Sequence, residues 1–543
     1  MPPAGVTTPA ERMIVEPVLV DNLKPQHERK PGHAPETEEF EYAPLSIALI
    51  AYLNLGLLVV FGYIRDLMRL FGYECTVGAK EWGNEGYPPL YHEFESFYHR
   101  NVYHRGSRLT AAPLAGVPGA EIDIIDRDWA DASLSSFKLS EKKRRYLNVG
   151  SYNYLGFAEN DGYCSKQTIQ EIRRNGCGVS SPRQELGTLE IHRQLEILVA
   201  QFLGKESALC FGMGFATNSL NIPAIVDEGC LLISDSLNHS CVILGARLSG
   251  AKIAVFKHND MEDLERVLKR HIVMGQTRTR RPWRKILICV EGLYSMEGTM
   301  CNLPAIVALK KKYKAYLFID EAHSIGAMGE TGRGVSEHFG VDTADVDIMM
   351  GTFSKSFGAC GGYLAGTKDT IAHLKRESHA HTYASPMSPP VARQIIASLT
   401  MISSTEEGKG RLRQLAENTR YFRDELRKRG YIIYGDSHSP VIPMILFTLA
   451  NICAFAKECL NRGLATVIVA FPATTMLGAR ARFCMSASHT REHLDRVLAI
   501  LEELDPMINL KMSAKRPTSA FMDFWRHFFT RPAIPTRAVD EEG

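Results

Sequence analysis

Net charge is the first thing this chain lacks. Across 543 residues, 63 Lys and Arg stand against 61 Asp and Glu, leaving +2. Neither the basic footprint of a nucleic-acid binder nor a one-signed solubilising surface is present. Also missing is any Cys-x-x-Cys pair. The 12 cysteines are scattered, and Cys210, Cys289 and Cys484 lie inside apolar runs where a buried thiol is an ordinary core residue. That pattern points to a reducing compartment and offers no metal site. No segment of roughly 20–50 residues recurs, which sets aside solenoids and propellers. Large apolar residues are sparse in the first 40 positions, which are rich in Pro, Glu and Lys, and no Ala-x-Ala pattern follows a basic start. Residues 1–43 are therefore expected to be a disordered tail and not a signal peptide.

Charge is absent again between Pro44 and Ile64, PLSIALIAYLNLGLLVVFGYI. At about 1.5 Å per residue this run matches the ~30 Å of a bilayer core. Residues 44–70 are expected to form a transmembrane or interfacial helix, with a core helix of a soluble protein as the alternative. Glu36, Glu38, Glu39 and Glu41 precede the run, and Arg65 and Arg69 follow it. A spanning helix would thus leave the bulk of the chain in the cytosol, where the Asn238-His239-Ser240 sequon could not be glycosylated. Residues 71–145 read as a connecting arm. It is rich in aromatics (YHEFESFYHRNVYHR, 91–105) and has no clean strand pattern, so it either packs on the main body or lines a channel.

From Tyr146 the texture becomes α/β. Short apolar runs at 207–212, 231–235, 252–258, 285–292, 315–320 and 347–353 are separated by helix-length amphipathic segments. Such alternation predicts a largely parallel sheet with right-handed crossovers, in a large domain over 146–400. Beyond it, Leu412, Leu415, Ala416, Phe422 and Leu426 form a helical stripe stopped by Gly430. The runs YIIYG, PVIPMILF, TVIVAF and ARFCMSA complete a small α+β lobe over 401–505. Residues 506–543 are a tail whose FMDFWRHFF (521–529) either docks on a membrane or partner or stays disordered.

Two of the apolar runs end on chemistry. FIDEAHSIG stops at Asp320, and DIMMGTFSKSFG stops at Thr352, Ser354 and Lys355. Side chains at the carboxyl ends of parallel strands face the crevice where α/β proteins bind ligands, so Asp320 and Lys355 are expected to meet over one cavity. A lysine short of water there has a lowered pKa and is a Schiff-base candidate. The aspartate is the group that would hold a pyridine nitrogen protonated. GMGFATN (212–218) reads as a glycine-rich strand-to-helix turn able to offer amides to a phosphate. It lacks the third glycine of a dinucleotide fingerprint.

DEAHSIG and GTFSKSFGACGGY occur together with SYNYLGF (151–157), GMGFATNS (212–219), LNHS (237–240), GARLSGA (245–251), TRTRRPW (277–283), VEGLYSMEG (290–298) and ARARFCMSASHT (479–490). From roughly Phe40 to Thr490 this order of blocks resembles the α-oxoamine synthases. These are pyridoxal-phosphate (PLP) enzymes that condense an amino acid with an acyl-CoA, and the likeness is narrowest to the branch that joins L-serine to palmitoyl-CoA, giving 3-ketosphinganine, CoA and CO2. The resemblance implies a fold-type I PLP-dependent transferase: a large domain with a mostly parallel sheet, a small C-terminal α+β domain and an N-terminal membrane-associated helix.

It further implies roles for single residues. Lys355 would form the Schiff base and act as base at the substrate Cα. Asp320 would pair with the ring nitrogen, His323 would reach the phenolic oxygen and His239 would stack on the ring. Gly214 and Phe215 would give amides to the phosphate, Thr352 and Ser354 hydroxyls, and Ser385 would reach the phosphate of the neighbouring subunit. Arg482 would take the substrate carboxylate, with Arg480 the other candidate. Bacterial relatives carry a further arginine where this chain has Ala470. Asn153 would either bond substrate or hold a turn. The basic cluster Arg278, Arg280, Arg281, Arg284 and Lys285 would meet CoA phosphates or lipid heads, or would be a solvated loop. Implied partners are a related long-chain-base-1 subunit lacking the lysine, in a heterodimer, a small activating subunit and ORM-type regulators. The implied location is the endoplasmic reticulum membrane, with the catalytic domain facing the cytosol. A soluble α-oxoamine synthase, a non-catalytic subunit of the same fold and a membrane scaffold are the alternatives.

Overall fold

A computed structural model describes residues 32–36, 40–41, 44–71, 97–103, 106, 113–129, 137–471 and 473–512. Its strands in chain order are β1 (Glu121–Trp129), β2 (Phe137–Asn148), β3 (Ser207–Phe211), β4 (Leu231–Asp235), β5 (Lys252–Phe256), β6 (Ile286–Glu291), β7 (Tyr316–Asp320), β8 (Ile348–Thr352), β9 (Gly362–Gly366), β10 (Val441–Phe447), β11 (Leu464–Ala465), β12 (Val467–Val469) and β13 (Ala479–Cys484). Seven of them form the central sheet in the order β3-β9-β8-β7-β6-β4-β5. All pairings from β8 through β5 are parallel. Only β9 runs antiparallel, to both of its neighbours.

Each of the six apolar runs became a strand of this sheet. Helices cover both faces, so β4 and β8 are buried along their whole length and show no alternation. The seventh strand, β9 (GYLAG), carries too little apolar side chain to register as a run. Glycine has a packing role where β8 meets it: a Cβ on Gly351 would lie 2.3 Å from the Tyr363 hydroxyl oxygen, so only glycine lets that ring cross the neighbouring strand.

The small lobe is a three-stranded antiparallel sheet, β10-β13-β12. The helix Glu406–Arg429 packs on it, starting at Thr405, whose side chain accepts from the Gly408 amide, and ending at Gly430 in the left-handed region. Ala416 on its stripe is exposed. YIIYG makes no strand, only the isolated bridge Ile433–Met444. The final helix runs to Ile508, past the expected end at 505. FMDFWRHFF lies outside the described residues.

The arm differs from expectation. It contains a long antiparallel hairpin, β1 with β2, extended by β11. The first nine residues of β2 (FKLSEKKRR) are exposed or nearly so on both faces, so no polar–apolar alternation betrays them. Cross-strand pairs such as Arg144–Asp126 (2.7 Å) and Arg145–Asp123 (2.9 Å) line the register instead.

The charge-free run is one helix, α1 (Leu45–Leu70). It is not a core helix: Leu49, Leu53, Val60 and Leu67 are each more than half exposed. The chain ahead of it is not a free tail throughout. His33 donates its amide to the His338 carbonyl (3.0 Å), Glu36 accepts from the Ser437 amide and hydroxyl, and Phe40 sits edge-on against Tyr434.

Candidate active site

Asp320 ends β7, and its register partner on β6 is Glu291. Thr352 ends β8 next door, and Lys355 follows in the turn that leads to β9. That turn is pinned: Gly358 N bonds the Lys355 carbonyl, Ala359 N the Phe353 carbonyl, Phe353 N the Gly361 carbonyl, and Ser356 Oγ the Ile325 carbonyl. The two residues expected to meet do so at adjoining strand ends, and their charges act on one another. Burial lowers the Lys355 amine to about 8, while Asp320 and Glu291 pull in the other direction and Arg482 adds to the depression.

Asp320 is 3 % exposed. Its Oδ2 accepts from Asn218 Nδ2 (2.7 Å) and its Oδ1 from the Ala322 amide (2.8 Å). Asn218 also donates toward Cys241 Sγ (3.1 Å). Beside it, burial and then the Asp320 charge push the Glu291 carboxyl well above the usual carboxylate range. Glu291 accepts from the backbone amide of His239. This places the imidazole over the strand ends, and the Cys241 amide bonds its Nδ1 (3.2 Å). His239 is exposed, with the Phe215 ring edge-on to it at 6.2 Å.

His323 is 5 % exposed. Its Nδ1 lies 2.8 Å from the Tyr154 hydroxyl. Burial, then Lys355 and Arg482, hold its pKa well below the ordinary histidine value, so the imidazole is neutral. Tyr152 stands between two cations: Lys355 Nζ is 5.4 Å and the Arg482 guanidinium 4.6 Å from its ring centre.

Gly214 opens the short helix Gly214–Ser219 directly after β3. A Cβ there would come within 2.8 Å of Thr352 Oγ1. Thr352 Oγ1 is in turn 2.7 Å from Ser354 Oγ. Two hydroxyls and the free amides of a helix start thus border one small space, with Phe215 beside it, 42 % exposed. Ser385 is exposed, and its carbonyl faces Gly212 on the same rim.

The two small-lobe arginines share one face of β13 and differ sharply. Arg480 is bonded to Gly478 O (2.7 Å), Met296 O (2.7 Å) and Glu297 (3.3 Å). Arg482 is equally buried, at 4 %. Its Nη1 meets Met296 Sδ (3.7 Å), and its Nε has no hydrogen-bond partner. A buried guanidinium with an unmet donor is a place for an anion.

Two readings that the sequence left open are narrowed. The Asn153 amide is taken up by its own loop, donating to Pro118 O (2.9 Å) and accepting from Ala158 N (3.2 Å), which is the turn-holding role. The basic cluster is not brought to the site. It precedes β6, at the opposite strand end from Glu291 and about 16 Å away at ~3.3 Å per residue. There Arg284 pairs with Asp227, and Lys285 bonds Ile225 O (2.7 Å). Ala470 lies against α1 in a groove it shares with Leu57, Phe61 and Phe471. Sequence reasoning missed Asn218, Glu291, Tyr152 and Tyr154, although all four lie within quoted motifs. The strand-end position of Glu291 was a usable signal.

The cofactor implied by the motifs fits this set. An amine lowered to about 8 and a buried carboxylate stand close to neighbouring strand ends, an exposed imidazole lies nearby, and a hydroxyl-lined niche is kept free by a glycine. Among the described residues there is no cluster suited to a metal ion.

Residues 144–501 match the family described as aminotransferase class I and II. Serine palmitoyltransferase 3 of Homo sapiens is 49% identical over 487 residues, spanning 89% of this chain and 88% of that one. Long chain base biosynthesis protein 2b of Arabidopsis thaliana is 47% identical over 478 residues, 87% of this chain and 96% of that one. Among solved structures, the serine palmitoyltransferase of Sphingomonas wittichii superposes with a TM-score of 0.67 at 27% identity, covering 77% of this chain and all of that chain.

Proposed function

Since the chain belongs to the class I and II aminotransferase family and, within it, to the serine palmitoyltransferases, we propose that it condenses L-serine with palmitoyl-CoA. The products are 3-ketosphinganine, CoA and CO2, and the reaction is the first step of sphingolipid synthesis. The observation that carries the proposal is the buried Lys355 amine within reach of the charges of Asp320 and of Arg482, an arginine whose Nε has no partner.

The cofactor is pyridoxal phosphate. When bound, it supplies an electron sink for the charge left at the serine Cα. The chain's own residues do the rest. Arg482 binds the serine carboxylate through its open donor edge, fixing the amino acid in orientation. Lys355, brought near neutral pH by burial, takes the proton from Cα and returns one later. Asp320 is held by Asn218 and the Ala322 amide to face the ring nitrogen. His323 stays neutral and, through Tyr154, keeps a single orientation toward the ring oxygen. Thr352, Ser354 and the Gly214 and Phe215 amides would hold the phosphate. His239 gives a flat apolar surface that excludes water from one ring face.

The second chain of the assembly is a related long-chain-base-1 subunit without the lysine. Supporting this, Met213, next to Gly214, and Tyr383, two residues before Ser385, leave 61% and 76% of their surface exposed. Ser385 faces the partner's cofactor. A small activating subunit and ORM-type regulators complete the assembly. The enzyme works on the endoplasmic reticulum membrane, facing the cytosol. Eleven cysteines among the described residues are free, which fits that side. Incubating the purified chain, alone and co-expressed with a lysine-lacking partner, with serine and a series of acyl-CoAs tests the reading. Release of CoA and of a β-keto base only with serine is expected. Equal turnover of glycine with short acyl-CoAs would replace it with a soluble-type synthase.

A further inference from the structure

One buried thiol beside the site has no part in the reaction proposed above. Cys241, in the first turn of the helix Ser240–Leu248, is 4% exposed. Its sulfur lies 2.8 Å from His239 Nδ1 and 3.1 Å from Asn218 Nδ2. Burial, and after it the Asp320 charge, pushes the thiol up to about 12, so the sulfur keeps its hydrogen at neutral pH.

The direction of every hydrogen bond in this cluster follows from one fixed acceptor. A carboxylate only accepts, so the Asn218 group 2.7 Å from Asp320 Oδ2 is its NH2. That group has two hydrogens, and the second is the one that reaches Cys241 Sγ. The sulfur therefore accepts from Asn218 and still has its own hydrogen to give. On the other side, the Cys241 backbone amide donates to His239 Nδ1 at 3.2 Å. A ring nitrogen that accepts carries no proton. The thiol hydrogen thus runs toward Nδ1 as well. Two donors of one residue converge on that atom, and the imidazole proton is left on Nε2.

The main chain around His239 is already held. Asn238 donates to Ser234 Oγ and to Cys289 O, both at 2.8 Å, and the His239 amide donates to Glu291. None of these bonds sets the plane of the ring, because χ2 of a histidine is a broad, roughly two-fold torsion. Turned over, the ring would put a C–H where Nδ1 now stands. Both Cys241 donors would then point at carbon, and an unmet donor in a buried place is costly.

We propose that Cys241 is a positioning residue. Its thiol and amide hold His239 in the Nε2–H tautomer with one ring plane, and through Asn218 it ties that plane to Asp320. The side chain that stacks on the cofactor ring and the side chain that faces the ring nitrogen then belong to one directional chain, Asp320 to Asn218 to Cys241 to His239. Neither turns without breaking a bond that orients the other. This role rests on the cofactor contacts proposed above and adds what fixes one of them.

The test uses the full chain, co-expressed with its partner and loaded with pyridoxal phosphate. Cys241→Ser keeps a hydrogen to give and a lone pair to receive, whereas Cys241→Val keeps similar bulk and removes both. In dialysis the valine variant should lose cofactor at least about fivefold faster than the parent, as the loss of one or two neutral hydrogen bonds predicts, and its visible absorbance maximum should move. The serine variant should match the parent within about twofold. A valine variant that behaves as the parent does, or a serine variant as impaired as the valine one, overturns the role. A second measurement needs no cofactor. In cofactor-free protein with isotope-labelled histidine nitrogens, the His239 signals, identified by their absence from His239→Gln, should show a bare Nδ1 and a protonated Nε2. The opposite pattern overturns the inference even where cofactor binding stands. A parent chain that takes up no pyridoxal phosphate overturns the function proposed above, and the nitrogen signals still decide the tautomer.

Discussion

The floor and the wall of the cleft are both built from buried charge, yet they are finished to different degrees. On the floor, given by the large domain, the Asp320 carboxylate is bonded on both oxygens. On the wall, given by the small lobe, Arg482 is buried to the same extent and keeps a donor with no partner. Two residues earlier on the same strand face, Arg480 is closed by three acceptors. On the function proposed above, the cofactor side is complete before substrate arrives, and the substrate's own carboxylate would complete the other side. Preorganisation is placed where the ligand stays, and an open valence where the ligand comes and goes.

That contrast can be broken at its centre. Lys355→Ala should abolish turnover, by at least about 10³-fold, and remove the visible absorbance of the purified enzyme. Normal product formation would overturn the assignment of the lysine. Next in size is the pair of arginines. Arg482→Ala should raise the serine KM about 10–100-fold, the value of a charge-assisted hydrogen bond or two, with the palmitoyl-CoA KM little changed. Equal losses for both substrates would remove its carboxylate role. Arg480→Ala sharpens the comparison, since it strips the partner from Glu297. It should destabilise the fold by about 3 kcal/mol, as loss of one member of a buried pair does, and leave the serine KM within about threefold.

Smaller again is Asn218→Ala, which frees one Asp320 oxygen. A cost of about 1–3 kcal/mol should appear as weaker cofactor retention in dialysis and a blue-shifted absorbance, with the serine KM unaffected. The mildest effect is on pH dependence. Because burial sets the Lys355 amine at about 8, the base is increasingly neutral as pH rises, and the rate of Cα proton removal should climb through pH 8 and level off above it. The same depression affects stability. Between about pH 8 and 10.4 the unfolded chain binds the proton and the folded chain does not. Stability of cofactor-free protein should therefore rise with pH across that window, and fall below it to a constant level.

The parallel strands and the Lys355–Asp320 pair were readable because strands buried on both faces are bare apolar runs, and such runs end at the ligand crevice. The strand β9 was hidden by its glycines, and the β1–β2 hairpin by charges on both faces. Asn218 acts through a contact made 102 positions away, and such contacts leave no local pattern. The basic cluster was left open between two readings. It precedes β6 in the chain, and residues ahead of a parallel strand lie at the edge away from the crevice, so its exclusion from the site could have been read from order alone.

The turn that carries Lys355 is stitched at both margins into one sheet, β8 on one side and β9 on the other. Whatever bond the amine makes or releases during turnover, its backbone cannot retreat, and the nitrogen can travel only as far as four methylenes allow. On the function proposed above, the amine would therefore stay beside the substrate carbon at an effective concentration no dissolved amine could reach. A single lysine can then serve first as anchor and afterwards as proton carrier without any domain movement to bring it back.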